Sequence, residues 1–190
     1  MSKRQLVVLV EISLTLALAV VLGTLKVWQM PQGGSISRGM LPVFILALRR
    51  GPRVGIAAGA LAGLLGRIVE PPYVVHPVQF LLDYPLAFAA VGLAGVFAGP
   101  WRNASLKRAW GRGIALAIVP GVLVGSLVRY AMHVTSGVIY FASFAEGQPV
   151  FTYSAIYNSF VLISAALCVA AAIVIMPVLE RVVPSAKERP

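Results

Sequence analysis

The only aspartate of the chain, Asp83, lies seven residues into an apolar run that starts at Pro77. A carboxylate at the centre of a transmembrane helix costs about 2.5–3.5 kcal/mol on insertion scales, so a residue kept there pairs with another group or serves a site. His133 closes a second apolar run four residues after Arg129, and Tyr153, Tyr157 and Asn158 open a third. Trp28 and Gln29 follow the first run of the chain. With acid, imidazole, phenol, amide and indole groups delivered to one end of a helical bundle, the set suits a pocket for a small aromatic cation. Asp83 would offset the charge, the rings would stack or supply cation–π attraction, and Asn158 would fix orientation. Each residue also has a plainer role: Trp28, Tyr140 and Tyr157 as members of an interfacial aromatic belt, His133 as a satisfied surface residue, and Asp83 as the ion-pair partner of Arg129.

Other chemistries lack their residues. No G-x-x-x-x-G-K-[ST] phosphate loop occurs, which excludes ATP binding of that kind. His76 and His133 lie in different segments without metal-site spacing to other ligands, and neither metal nor cofactor is expected. Cys168 is the only cysteine, so no intrachain disulfide is possible. Ser136 follows His133 closely in one segment and Gly33-Gly34-Ser35 lies in a loop, whereas a serine hydrolase needs nucleophile and base facing each other from separate elements; no enzyme is expected. Glu11, about two turns inside the first run, either pairs with a loop arginine or snorkels.

Positioning such groups falls to helices that cross a bilayer. Of the 190 residues 59% are hydrophobic and only 12% charged, with a mean hydropathy of +0.88, against roughly 45–50% apolar and about 25% charged in soluble domains. The chain reads as an all-α integral membrane protein forming one transmembrane domain, 1–190. A hydrocarbon core of about 30 Å needs about 20 helical residues whose backbone satisfies its own hydrogen bonds. Runs at 5–27, 53–69, 77–99, 113–133 and 153–179 meet or approach that length. A sixth, 36–50, is short and holds Pro42, which predicts a tilted, kinked or partly re-entrant segment ended by the Gly51-Pro52 turn. The first run is too long for a signal-peptide core and is read as a retained helix.

The net charge of +10 comes from short basic clusters between these runs, which lipid headgroups and translocation rules explain without nucleic acid. Six spans place twelve of the 16 Lys and Arg residues on one side, from Lys3 to Lys187 and Arg189, and only Lys26, Arg38, Arg67 and Arg129 on the other. Basic loops stay in the cytoplasm, so both termini are expected there and the polar groups named above at the outer face. Glycines at 55, 59 and 63, at 95 and 99, and at 121 and 125 line helix faces suited to close packing in lipid.

Four stretches in series, GGSISRGMLPVFILALRRG (33–51), DYPLAFAAVGLAG (83–95), HVTSGVIYF (133–141) and YSAIYNSF (153–160), carry a resemblance. The chain resembles the thiamine-specific substrate-binding subunit, the S component, of energy-coupling factor (ECF) transporters, from Glu11 to about Ile175. That resemblance implies a six-helix bundle in the cell membrane of a prokaryote, embedded in lipid, which binds thiamine tightly near the outer surface and delivers it with a transmembrane T component and two ATPases. It also implies site residues. The family's acid before a tyrosine on the fourth helix, usually glutamate, corresponds to Asp83 before Tyr84, one methylene shorter. Its histidine corresponds to His133, and its Tyr and Asn five apart to Tyr153 and Asn158. Phe141 stands where the family often has a stacking tryptophan eight residues after the histidine; for both to face one cavity, the chain is expected to bend around Gly137. Trp28 is placed like the family's tryptophan in the first outer loop, which covers the ligand and here contains Gly33 and Gly34. Ser13 and Ala17 are the expected docking pair for the T component, with Ala19 and Gly23 as the alternative. Two competing readings remain: an ion-coupled secondary transporter of a small organic cation using Asp83, although six spans are few and no internal repeat is visible, and a membrane scaffold that binds no small molecule.

Overall fold

Each helix but the last two starts at a residue that caps the first turn or needs no cap. Ser2 Oγ accepts the Gln5 N–H at 3.2 Å while Gln5 Oε1 accepts the Ser2 N–H at 2.7 Å, opening α1 (Lys3–Thr24). Prolines, which have no N–H to leave unpaired, open α2 (Leu41–Arg50), α3 (Pro52–Val69) and α4 (Pro77–Leu106). The series ends with α5 (Trp110–Tyr140) and α6 (Val150–Val182). Between α1 and α2 a minimal hairpin forms, β1 (Trp28–Gln29) antiparallel to β2 (Ser35–Ile36) with Trp28 opposite Ile36. The computed structural model describes residues 2–184, apart from the side chains of Lys3 and Arg4; Lys187 and Arg189, counted above in the charge split, lie outside the described residues.

Five of these helices are long and apolar enough to cross a membrane. The sixth, α2, has 10 residues and so covers only about 15 Å. Pro42 sits in its first turn and kinks nothing; the short predicted span is a half-length helix entered through the hairpin. Irregular backbone at membrane depth is tolerated where protein buries it or where it lines a cavity. Both conditions apply, since Val43, Phe44, Ala47 and Leu48 of α2 are fully buried in the core and the preceding hairpin lines a cavity. By contrast α1 exposes Leu6, Leu9, Leu14, Leu18 and Val21, a surface that only lipid or a partner would cover. The last three helices outrun the apolar stretches 77–99, 113–133 and 153–179 at both or one end, because hydropathy marks the membrane core while the helix continues into polar and aromatic residues.

A Cβ added to Gly59 or Gly63 would run into the backbone of Phe88 or Tyr84, and one added to Gly92 into that of Gly55, while one at Gly55 would first strike Ala47 of α2. The glycine stripe therefore does pack, laying α3 on α4 backbone to backbone. Gly121 and Gly125 bring α5 close to Ala94 and Val91 in the same way, whereas Gly99 faces open space. The Gly63 contact seats a π-helical turn, Leu82–Leu86, that carries Asp83 and contains Pro85. Proline cannot donate to the carbonyl one turn back, and the wider turn absorbs that mismatch.

The end of the bundle away from this turn is tied by ions. Arg49 donates to Glu180 Oε1 at 2.7 Å, and Arg50 pairs with Glu11. Trp101 Nε1 and Ser105 Oγ donate to Glu180 at 3.3 and 3.4 Å. Glu11 thus pairs rather than snorkels, and the cluster joins α1, α2, α4 and α6. Removing one partner of such a buried pair costs about 3–5 kcal/mol.

Candidate functional site

At the opposite end, the hairpin and the ends of α3, α4, α5 and α6 enclose a cavity of about 530 Å³, within the size range of small-molecule sites. Asp83, Tyr84, His133, Phe141, Tyr153 and Asn158 all line it. Trp28 does not: it is 63% exposed on the outer side of the hairpin. Side chains alternate along a strand, so with Gln29 turned toward the cavity its neighbour Trp28 turns away.

Asp83 is buried and already heavily bonded. Its Oδ2 accepts from Gln79 Nε2 at 2.6 Å and from Ser136 Oγ at 2.8 Å, and its Oδ1 faces His133 Nδ1 at 3.0 Å. None of these partners is Arg129, so the anticipated Asp83–Arg129 pair does not form. A carboxylate has about four acceptor positions; three are taken, and one on Oδ1 stays open. Accepting from Nδ1 fixes the imidazole tautomer and leaves His133 Nε2, buried without a partner, as the free ring nitrogen. Phe160 holds the same ring edge-on at 5.7 Å.

Arg129 lies one turn before His133 on α5. It is 9% exposed, its guanidinium stacks 4.0 Å over the Phe88 ring, and its Nε and Nη1 are buried with no acceptor. Buried charged donors left unpaired cost several kcal/mol, and native structures rarely carry them without a function. Asn158 uses Nδ2 on the Ser154 and His133 carbonyls, at 2.9 and 3.3 Å, and keeps Oδ1 for another donor. An aromatic wall closes the side: Phe141 lies 5.9 Å from Tyr73 and 6.2 Å from Phe144, and Tyr153 lies 5.8 Å from Tyr157.

One geometric expectation fails. The chain does not bend around Gly137; α5 runs unbroken to Tyr140, with Phe141 as its last cap. A Cβ at Gly137 would strike Ser154 and Asn158, so this glycine lets α6 approach α5 and brings Asn158 to the His133 carbonyl. Sequence reading also missed the site role of Arg129, Gln79 and Ser136. Their signal was helical spacing, four residues before His133, four before Asp83 and three after His133, which puts each on the face of a residue already singled out.

On α1, Ser13 and Ala17 are exposed, whereas Ala19 is buried and Gly23 packs on Gly39. Ser13 and Ala17 thus face outward together, whereas of the alternative pair Ala19 is turned into the protein.

Comparison with known proteins covers nearly all of these elements. The chain is 42% identical over 174 residues to the thiamine transporter ThiT of Bacillus subtilis, spanning 87% of this chain and 90% of that one. It is 30% identical over 161 residues to the thiamine transporter ThiT of Lacticaseibacillus paracasei, spanning 82% and 79%. The solved structure of ThiT from Listeria monocytogenes superposes with a TM-score of 0.81 at 28% identity, covering 97% of this chain and 98% of that one. The family described as thiamine transporter protein matches residues 9–184, a range that holds α1 from Leu9 onward, the other five helices, the hairpin and every residue of the cavity, and the chain belongs to that family.

Proposed function

We propose that this chain captures thiamine in the cavity and serves as the S component of an ECF transporter, working with a T component and two ATPases. Thiamine joins an aminopyrimidine, with ring-nitrogen acceptors and an amino donor, to a thiazolium cation. The free donors of Arg129 suit the ring nitrogens, and the open acceptors on Asp83 Oδ1 and Asn158 Oδ1 suit the amino group. Phe141, Tyr153 and Tyr84 offer π faces to the thiazolium, while the Asp83 carboxylate balances its charge from behind His133.

The observation that carries this reading is the buried Arg129 guanidinium, with Nε and Nη1 unpartnered, beside the Asp83–His133 pair in a cavity of about 530 Å³, on a chain of the thiamine transporter family. Lys26, Arg67 and Arg129, three of the four minority basic residues, line this cavity, and the positive-inside rule then puts its mouth at the outer face of the cell membrane. The exposed Ser13–Ala17 face of α1 is the docking surface for the T component.

Proteoliposomes test the assignment. The purified chain alone is expected to bind radiolabelled thiamine without accumulating it under a proton or sodium gradient, and to accumulate it with ATP once a T component and two ATPases are included. Gradient-driven uptake by the chain alone would overturn the S-component role in favour of a secondary carrier.

A further inference from the structure

One stripe of α6 grips the hairpin that roofs the cavity. Tyr157, Phe160 and Ser164 follow at spacings of three and four, so they share a helix face. The Tyr157 hydroxyl accepts the Gln32 N–H at 2.9 Å and donates to the Gly33 carbonyl at 3.1 Å. Ser164 Oγ accepts the Ser37 N–H at 3.2 Å. Between them Gly34, at φ +88°, lies so close to the Phe160 ring that a Cβ there would overlap it. At the hairpin base, Lys26 is anchored to Glu70 at 2.9 Å.

The tip of this hairpin has little else to hold it. Its two strands are two residues each, and an isolated hairpin of that size is not stable on its own. Gln32, Gly33 and Gly34 all line the cavity, so lifting them widens the way out for a ligand held beneath them. A single hydroxyl satisfying both the donor of Gln32 and the acceptor of Gly33 is the contact that must break first.

We propose that Tyr157 is the latch of the site, a positioning residue that holds the hairpin down and sets how long a bound ligand stays. This rests on the cavity being the thiamine site, but the latch itself exists without ligand. Tyr157 enters the sequence as a member of an aromatic belt; its ring does pack on Tyr153, but its hydroxyl belongs to the hairpin.

Two measurements on the full chain in nanodiscs test it, on the parent, on Tyr157→Phe and on Gly34→Ala. Hydrogen–deuterium exchange of the ligand-free protein is expected to speed up across residues 28–36 in both variants, not at Gln32 alone, with the helices unchanged. Radiolabelled thiamine is expected to dissociate about tenfold faster from Tyr157→Phe, with association changed by less than about twofold, because two net hydrogen bonds are lost from the closed state only. Gly34→Ala, which lifts the tip without touching the hydroxyl, is expected to give the same kinetic split. Unchanged exchange over 28–36 in Tyr157→Phe overturns the latch, and so does thiamine dissociation from that variant at the parent rate. If the parent binds no thiamine, the functional reading falls, and the ligand-free exchange still decides the latch.

Discussion

Asp83 shows how a single side chain can hold a site without presenting its full charge to it. Gln79, Ser136 and His133 take three of its acceptor positions, so its main local effect is to fix the tautomer and angle of His133 and so to aim Nε2. Phe141 has the opposite character: no hydrogen bond anchors it, and its contribution is an aromatic face among Tyr73 and Phe144. Phe141→Ala is expected to weaken thiamine binding by about 0.5–2 kcal/mol, the range of cation–π contacts from exposed to desolvated, and Phe141→Trp to preserve or strengthen it. Equilibrium titration of the two variants checks this; equal affinity for Ala and Phe would reduce the ring to an interface belt. Arg129 was the residue least legible in the sequence. Its charge assigned it to the outer side and to Asp83 as a partner, and no rule of spacing shows that a guanidinium will be stacked on Phe88 with two donors left over.

Among the elements, the long helices were legible because twenty apolar residues permit little else in a bilayer. Their ends were not, since helical hydrogen bonding continues past the hydrocarbon: α5 reaches Tyr140, and with it the predicted bend at Gly137 disappears. The half-length of α2 was visible in its shortness and Pro42, but the two-residue strands before it were too brief to leave a periodic signal, and strand alternation then decided that Gln29, not Trp28, faces the cavity. The pair Ser13 and Ala17 could not be separated from Ala19 and Gly23 by composition; burial separates them, with only the first pair facing outward. Ala17→Trp is expected to leave thiamine affinity within about twofold while abolishing co-purification with the T component and ATP-driven uptake, because apolar helices associate in lipid through close backbone approach. Normal assembly of this variant would move the docking face elsewhere on the molecule.

Across the whole molecule the two ends differ in kind. One is cross-linked by the Arg49–Glu180 and Arg50–Glu11 pairs, whose partners satisfy one another. The other leaves Arg129 and His133 with buried, unpartnered nitrogens beside the cavity, which a hairpin gripped by α6 helps to cover. An end with satisfied charges suits a scaffold; an end with unsatisfied ones suits a ligand that supplies the missing partners. That contrast makes calorimetry of the purified chain with thiamine the most direct measurement, run on the parent and on Asp83→Asn. The parent is expected to bind one thiamine per chain, and Asp83→Asn to lose about 1.5–3 kcal/mol, roughly ten- to over a hundredfold in affinity, while purifying as a folded protein. Absence of binding by the parent, or an Asp83→Asn variant that binds as tightly as the parent, would contradict a thiamine site organised by Asp83.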